Sequence, residues 1–326
     1  MYHFARLAAG IGLAVGMSST AYAQNWDMPT PYPDGNFHTK NILQFAEEVN
    51  AATNGTLKIT VHSAGSLIRH PEIKRAVRSG IAPMGEVLIS LAANESPIYG
   101  LDSVPFLATG YEDARKLYEA HRPALEEKLA EEDLVLLFSV PWPPQGIFAK
   151  TEISSMNNMQ GLRFRTYNPG TGRIAALSGA VPVQVEVPDL PTAFATGRVE
   201  ATITSPATGV DSKFWDFLEY YHDTQAWLPR NMVFVNKAAF DGLGEAERAA
   251  LLEAAAAAET RGWAASEEVT VVATQALKDN GLTVVTPSDE LSQGFRAIGA
   301  QIAEEWTESA GAQGAAIIEA YEASRQ

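Results

Sequence analysis

The chain of 326 residues contains no cysteine. That excludes disulfides, thiolate catalysis and cysteine-ligated metals, and a chain of this length buries a sufficient core without cross-links. Positive charge is scarce: 24 basic residues face 39 acidic ones, a formal charge of −15. So acidic a surface argues against nucleic acid as a partner, and binding an anion requires a local basic site. The six histidines are scattered, with no His-x-x-x-His or other metal-ligand spacing, and each is read as a surface or core residue. There is no Gly-x-Gly-x-x-Gly after a strand, no phosphate-binding Gly-x-x-x-x-Gly-Lys-Ser/Thr and no Gly-x-Ser-x-Gly elbow. The chain therefore reads as a non-enzyme without a cofactor. After residue 24 no apolar run approaches the ~18 residues of a membrane span.

Such a run is also short at the N-terminus. His3 and Arg6 precede an apolar stretch from Leu7 to Met17, and Ala21-Tyr22-Ala23 is a small-x-small cleavage signal. Residues 1–23 are expected to be a signal peptide, with the mature chain starting at Gln24 in the periplasm. No cysteine stands at the cut to carry a lipid.

The mature sequence alternates helix and strand signals, which predicts an α/β fold. Gln24 to Phe37 is Pro-rich and is expected to be an irregular loop. A helix is expected from His38 or Thr39, with Ile42, Phe45, Ala46 and Val49 at helical spacing. Leu57–Val61 alternates as a strand, Pro71–Arg78 is helical, and Met84–Leu91 reads as a buried strand. Tyr111–Asp133 is a helix with a solvated acidic face. Leu134–Val140 is a buried strand that ends in Pro141-Trp142-Pro143-Pro144-Gln145-Gly146, where prolines forbid a central strand. This is expected to be a first crossing between two domains, and the region around Pro229 a second. A short helix is expected over Asp211–Leu218. From Gly244 to about Asn280 there is no proline and alanine and glutamate dominate, which predicts one very long helix. A closing strand over Leu282–Thr286 and a helical C-terminus follow.

The most informative stretch is Gly161–Pro206. Leu162 and Phe164 alternate with Arg163 and Arg165, so both arginines share one face of a strand. Tyr167-Asn168-Pro169-Gly170 ends that strand. Thr171 is expected to cap a helix that stops at Gly179, and Pro188–Phe194 to form a second short helix.

This arrangement resembles the substrate-binding proteins of tripartite ATP-independent periplasmic (TRAP) transporters. The matching residues are Gly161-Leu162-Arg163-Phe164-Arg165, Gly179-Ala180-Val181-Pro182, and Thr192-Ala193-Phe194 with Gly197. Further matches are Phe45-Ala46 with Val49, Gly55 and Leu57; Gly65-Ser66-Leu67 with Ala76-Val77 and Gly80; and Val104-Pro105-Phe106-Leu107. One departure is Pro83, where the family often carries aspartate. The resemblance implies a two-domain α/β binding protein of Venus-flytrap type, with a long helix spanning both domains. The domains are expected at 24–142 plus 231–272 and at 143–230 plus 273–326. It also implies a hinge motion around a small ligand and delivery to the small and large integral membrane subunits of a permease.

By the same resemblance, Arg165 binds the carboxylate of a small organic acid, and a guanidinium matches a carboxylate bidentately. Arg163 is read as structural. Trp142, Gln145 and Ser205 are expected at the cleft; Gln145 stands where some relatives carry arginine, and Ser205 where many carry asparagine. Glu86 and Glu186 are candidate acids, which would favour a ligand that donates protons or carries positive charge. Phe37 and Trp215 are candidate wall aromatics, as are Tyr32 and Tyr99. Two alternatives stand beside this reading: a binding protein of an ATP-driven importer, and a TRAP receptor whose ligand is an amine or zwitterion.

Overall fold

A computed structural model describes residues 23–325 of the chain. The expected signal peptide lies almost wholly outside the described residues. Eleven strands and nine α-helices appear among them, in the order β1 (Gln24–Pro29), α1 (Phe37–Ala52), β2 (Leu57–His62), α2 (His70–Arg78), β3 (Met84–Leu88), α3 (Tyr111–Ala130), β4 (Leu134–Pro141) and β5 (Gly146–Ala149). Then come β6 (Arg163–Thr166), α4 (Pro169–Leu177), β7 (Val181–Gln184), α5 (Leu190–Ala195), β8 (Ala201–Thr204) and α6 (Pro206–Asp211). The chain ends with β9 (Tyr220–His222), β10 (Arg230–Asn236), α7 (Lys237–Asp241), α8 (Glu245–Asp279), β11 (Thr283–Val285) and α9 (Asp289–Ser324).

The strands divide between two bodies. In the first, β1 pairs parallel with β2, and β3 and β4 flank β10 antiparallel. In the second, six strands run in the order β11-β9-β5-β8-β6-β7, with β8, β6 and β7 mutually parallel. The chain leaves the first sheet system after Pro141, enters the second at Gly146, and returns through Pro229 into Arg230. The two connections bind each other. The Trp142 N–H donates to the Pro229 carbonyl (2.7 Å), the Gln145 N–H to Trp227 (2.9 Å), and the Ala226 N–H to Gln145 (3.0 Å). Three prolines in Pro141–Pro144 keep this strip narrow, because each lacks a ladder donor.

Two long helices tie the bodies together. Helix α8 puts Leu251, Ala255 and Ala258 into the core around Phe45 and Phe138, and Leu277 into the core around Phe148 and Phe194. Small alanines let it lie close against both. Helix α9 packs Leu291, Phe295 and Ile298 beside Phe164, and Trp306, Ile317 and Tyr321 beside Ile98, Leu101 and Leu117. It breaks once, at Gly311 (φ 56, ψ −141), a backbone conformation that glycine tolerates.

Several local expectations change. The Pro-rich N-terminal loop begins as strand β1, because Trp26 and Met28 alternate into the core. Helix α4 is capped by Asn168, whose Oδ1 accepts the Thr171 N–H, and Thr171 closes a reciprocal box. The helix expected over Asp211–Leu218 lies earlier, at Pro206–Asp211, since Ser205 caps it and Pro206 opens it.

Candidate functional site

The second body offers the carboxyl ends of three neighbouring parallel strands, where α/β sheets commonly bind ligands. Tyr167 follows β6, Glu186 and Val187 follow β7, Thr204 closes β8 and Ser205 follows it. Opposite them, the first body presents Tyr32 after β1, His70 at the start of α2, Leu88 at the end of β3 and Trp142 after β4. With Gln145, Arg165, Thr208 and Pro229 these residues line a cavity between the two bodies.

Arg165 dominates its chemistry. The side chain is 1% exposed. Its Nε donates to the Val185 carbonyl at 2.8 Å, and its guanidinium lies 4.8 Å from the centre of the Tyr167 ring. No carboxylate lies within ion-pairing distance of it among the described residues, and its two Nη groups donate to no protein acceptor there. Burial pushes its pKa down to about 10, against the pull of Tyr167, Glu186 and Tyr32, so it remains a cation at neutral pH. Its strand neighbour Arg163 is half exposed and pairs with Glu200 at 2.9 Å.

Glu186 is the cavity's acid. Burial works against its charge, but His70, Gln184 and Arg165 outweigh that and hold its carboxyl below the ordinary value. The Gln184 amide donates to Oε1 at 3.1 Å, and His70 Nδ1 stands 3.6 Å from Oε2. His70 Nε2 accepts the Leu88 N–H at 3.2 Å, which assigns the ring proton to Nδ1, on the side of Glu186. The floor is polar and neutral. Tyr167 donates its hydroxyl to Gln145 Oε1 (2.9 Å), while Gln145 Nε2 donates to the Pro143 carbonyl (2.9 Å). Ser205 Oγ accepts the Thr208 N–H (3.1 Å). The wall is aromatic: the Tyr32 and Trp142 rings meet edge to face at 4.8 Å.

Contacts cross the gap on either side of the cavity. Asn168 Nδ2 donates to Ser90 Oγ at 2.7 Å, and Asn36 Nδ2 to Asp211 Oδ2 at 2.6 Å. Arg69 stands 3.6 Å from Asp189.

Arg165, Trp142, Gln145, Ser205 and Glu186 thus meet at one cavity. Glu86 stands one side chain behind the wall, bonded to Thr30 and Asn231, and does not line the cavity. Phe37 does not line it either: Asn36 caps α1, which turns Phe37 into the core edge-on to Trp142 at 5.4 Å. Trp215 packs on the Phe148–Phe194 core of the second body, away from the cavity. Tyr99 is a core residue whose hydroxyl donates to Glu132. Sequence reasoning did not single out His70, Tyr167 or Thr208. A signal for Tyr167 and Thr208 was present, since each lies within three residues of an expected site residue, Arg165 and Ser205.

Comparison with known proteins agrees with this arrangement. The profile of the bacterial extracellular solute-binding proteins, family 7, matches residues 30–309. DctP6, a Bordetella pertussis extracytoplasmic solute receptor binding pyroglutamic acid, is 46% identical over 93% of this chain and 100% of its own, with a TM-score of 0.91. DctP7 of the same organism, also binding pyroglutamic acid, is 44% identical over 92% of this chain and 100% of its own (TM-score 0.91). A marine metagenome TRAP solute-binding protein specific for pyroglutamate is 42% identical over 92% of this chain and 99% of its own (TM-score 0.91). Among the described residues no helix is long and apolar enough to cross a membrane. A cleft between two α/β bodies, a buried and unpaired arginine at the ends of parallel strands, and a match over most of the chain agree: this protein belongs to the family 7 extracellular solute-binding proteins, the solute receptors of TRAP transporters.

Proposed function

We propose that the protein is a periplasmic receptor that captures a small organic acid, with pyroglutamate the first candidate, and delivers it unchanged to the small and large membrane subunits of a TRAP permease. The observation that carries this is Arg165. A buried cation without a protein counter-ion is costly, and a ligand carboxylate that accepts both Nη groups offsets that cost with a charge-assisted, bidentate pair. Such a bond also couples binding to closure, because the ligand then touches Tyr32, His70 and Trp142 of the opposite lobe. We divide the lobes as 24–142 with 231–272 and 143–230 with 273–326, the end of α9 reaching back on to the first.

Glu186 refines the ligand. An acid held ionised in the same cavity favours a molecule with an N–H donor opposite its carboxylate and disfavours a simple dicarboxylate. A lactam acid such as pyroglutamate meets both demands. The same observation supports a second reading, an amino acid whose ammonium group faces Glu186.

A thermal-shift panel separates these readings. Pyroglutamate at saturation is expected to raise Tm, by the equivalent of about 2.7 kcal/mol at a hundredfold excess over Kd. Proline and glutamine test the zwitterion, and succinate and gluconate test acids without N–H. If none of these acids shifts the transition, the carboxylate reading fails; a response to the amino acids alone replaces the lactam by the zwitterion.

A further inference from the structure

Behind the aromatic wall lies a buried polar cluster that does not line the cavity. Its centre is Asn231, the second residue of β10, which is flanked by Leu88 on one side and Val140 on the other. Asn231 Oδ1 accepts from two cavity-lining side chains: the Trp142 indole N–H at 2.9 Å and the Tyr32 hydroxyl at 3.2 Å. Its Nδ2 donates to Glu86 Oε1 at 2.7 Å, and Glu86 Oε2 is bonded by the Thr30 hydroxyl. Asn231 and Glu86 are each 1% exposed.

We propose that Asn231 is a positioning residue for the ligand cavity, holding the Tyr32–Trp142 wall in its edge-to-face arrangement, and that Glu86 fixes the orientation of the Asn231 amide. The logic lies in the donor and acceptor inventory. An indole N–H only donates, so the group facing Trp142 must be the amide oxygen. The amide nitrogen then faces Glu86 and requires an acceptor there. Neither ring of the wall belongs to β10: Tyr32 comes from the N-terminal segment and Trp142 from the first crossing. A single oxygen on a central strand therefore sets two rings that arrive from separate segments. Leucine at 231 would supply no acceptor, and aspartate would set a second carboxylate against Glu86. Glutamine at 86 retains the scheme, because its carbonyl accepts from Asn231 and its amide donates to the Thr30 hydroxyl. Methionine at 86 breaks it. His38 packs on both partners, 3.5 Å from Glu86 Oε1 and 4.4 Å from the Trp142 ring centre, and closes the cluster on its far side.

This inference rests on the proposed acid site only for its ligand arm, so the test has two arms. In the first, 5-fluorotryptophan is incorporated at the six tryptophans, and the Trp142 resonance is assigned with Trp142→Phe. Without ligand, the wild type and Glu86→Gln are expected to give one narrow Trp142 line, and Asn231→Leu and Glu86→Met a shifted or broadened one. In the second, calorimetry with pyroglutamate is expected to show at least a tenfold loss of affinity for Asn231→Leu and Glu86→Met, and less than a threefold change for Glu86→Gln. Should Asn231→Leu fail to fold, Glu86→Met against Glu86→Gln carries both arms. An unchanged Trp142 line in Glu86→Met, or equal damage from Glu86→Gln and Glu86→Met, overturns the proposal. If the wild type binds no pyroglutamate while the resonance arm behaves as expected, the ligand assignment fails and the positioning role stands.

Discussion

Arg230 and Arg165 are each about 1% exposed, and each places its guanidinium over a tyrosine, Tyr118 at 4.4 Å and Tyr167 at 4.8 Å. Their surroundings differ. Arg230 opens β10 with Asp102 beside it: the Asp102 carboxylate accepts the Arg230 backbone N–H at 2.8 Å and lies 3.6 Å from its Nε. Arg230 Nη2 donates to His121 Nδ1 at 2.8 Å, and His121 passes its own Nε2–H to the Ile98 carbonyl. Burial and the Arg230 charge hold His121 down to about 3, so it stays a neutral acceptor. Arg165 has one backbone acceptor, no acid within ion-pairing distance among the described residues, and a cavity in front of it that it shares with Glu186. One cation is part of a neutralised structural cluster; the other, on the proposed function, takes its counter-charge from the ligand. Burial alone does not mark a functional residue, but burial without neutralisation does.

This contrast can be broken or sharpened by substitution. Arg230→Met is expected to have the largest effect, a loss of about 3–5 kcal/mol of stability, because Asp102 is left buried with its cation gone. Chemical denaturation measures this, and pyroglutamate affinity of the folded fraction should change little. Arg165→Met should do the reverse, costing about 3 kcal/mol of pyroglutamate affinity while the ligand-free Tm holds or rises. If both variants lose stability and neither loses affinity, the distinction between the two arginines is wrong.

Glu86 extends the contrast to acids. Burial pushes its pKa up to about 7, against the hydrogen bonds from Thr30 and Asn231. The folded state therefore takes its proton more readily than the unfolded chain. The stability this gives is complete below the ordinary glutamate range near 4.5 and is lost as pH rises through about 7. Glu86→Gln, neutral throughout, should nearly match the wild type at pH 4.5 and exceed it by roughly 3 kcal/mol at pH 8. A pH-independent difference between the two melting curves would contradict this. Ser90→Ala removes the acceptor of the cross-lobe bond from Asn168 and should weaken ligand binding by about 1 kcal/mol, read by calorimetry, with Tm of the ligand-free protein nearly unchanged. Arg163→Gln should be smallest, under about 0.5 kcal/mol in either stability or affinity, because its pair with Glu200 is half exposed.

Much of this was legible in the chain, and the gaps have physical causes. Alternation put Arg163 and Arg165 on one strand face, and the absence of proline after Gly244 marked the 35-residue helix α8. Proline clusters marked Trp142–Gln145 as a place where a strand ends. Alternation failed for Glu86, because all of Met84–Leu88 is buried and a strand covered on both faces does not announce which one looks at the ligand. Tyr32 and Phe37 lie five residues apart, but Tyr32 stands in the loop after β1 and lines the cavity, whereas the Asn36 cap starts α1 at Phe37, which packs into the core. His70 was one of six scattered histidines until the second body set Glu186 against it.

The central claim is that Arg165 grips an acid, and the direct measurement is a calorimetric titration of the wild-type protein with pyroglutamate and with its neutral carboxamide. The two ligands share ring, lactam and size and differ in the charge offered to the guanidinium. The account predicts that the acid binds and that the carboxamide binds at least a hundredfold more weakly. Equal affinity for the two would contradict it.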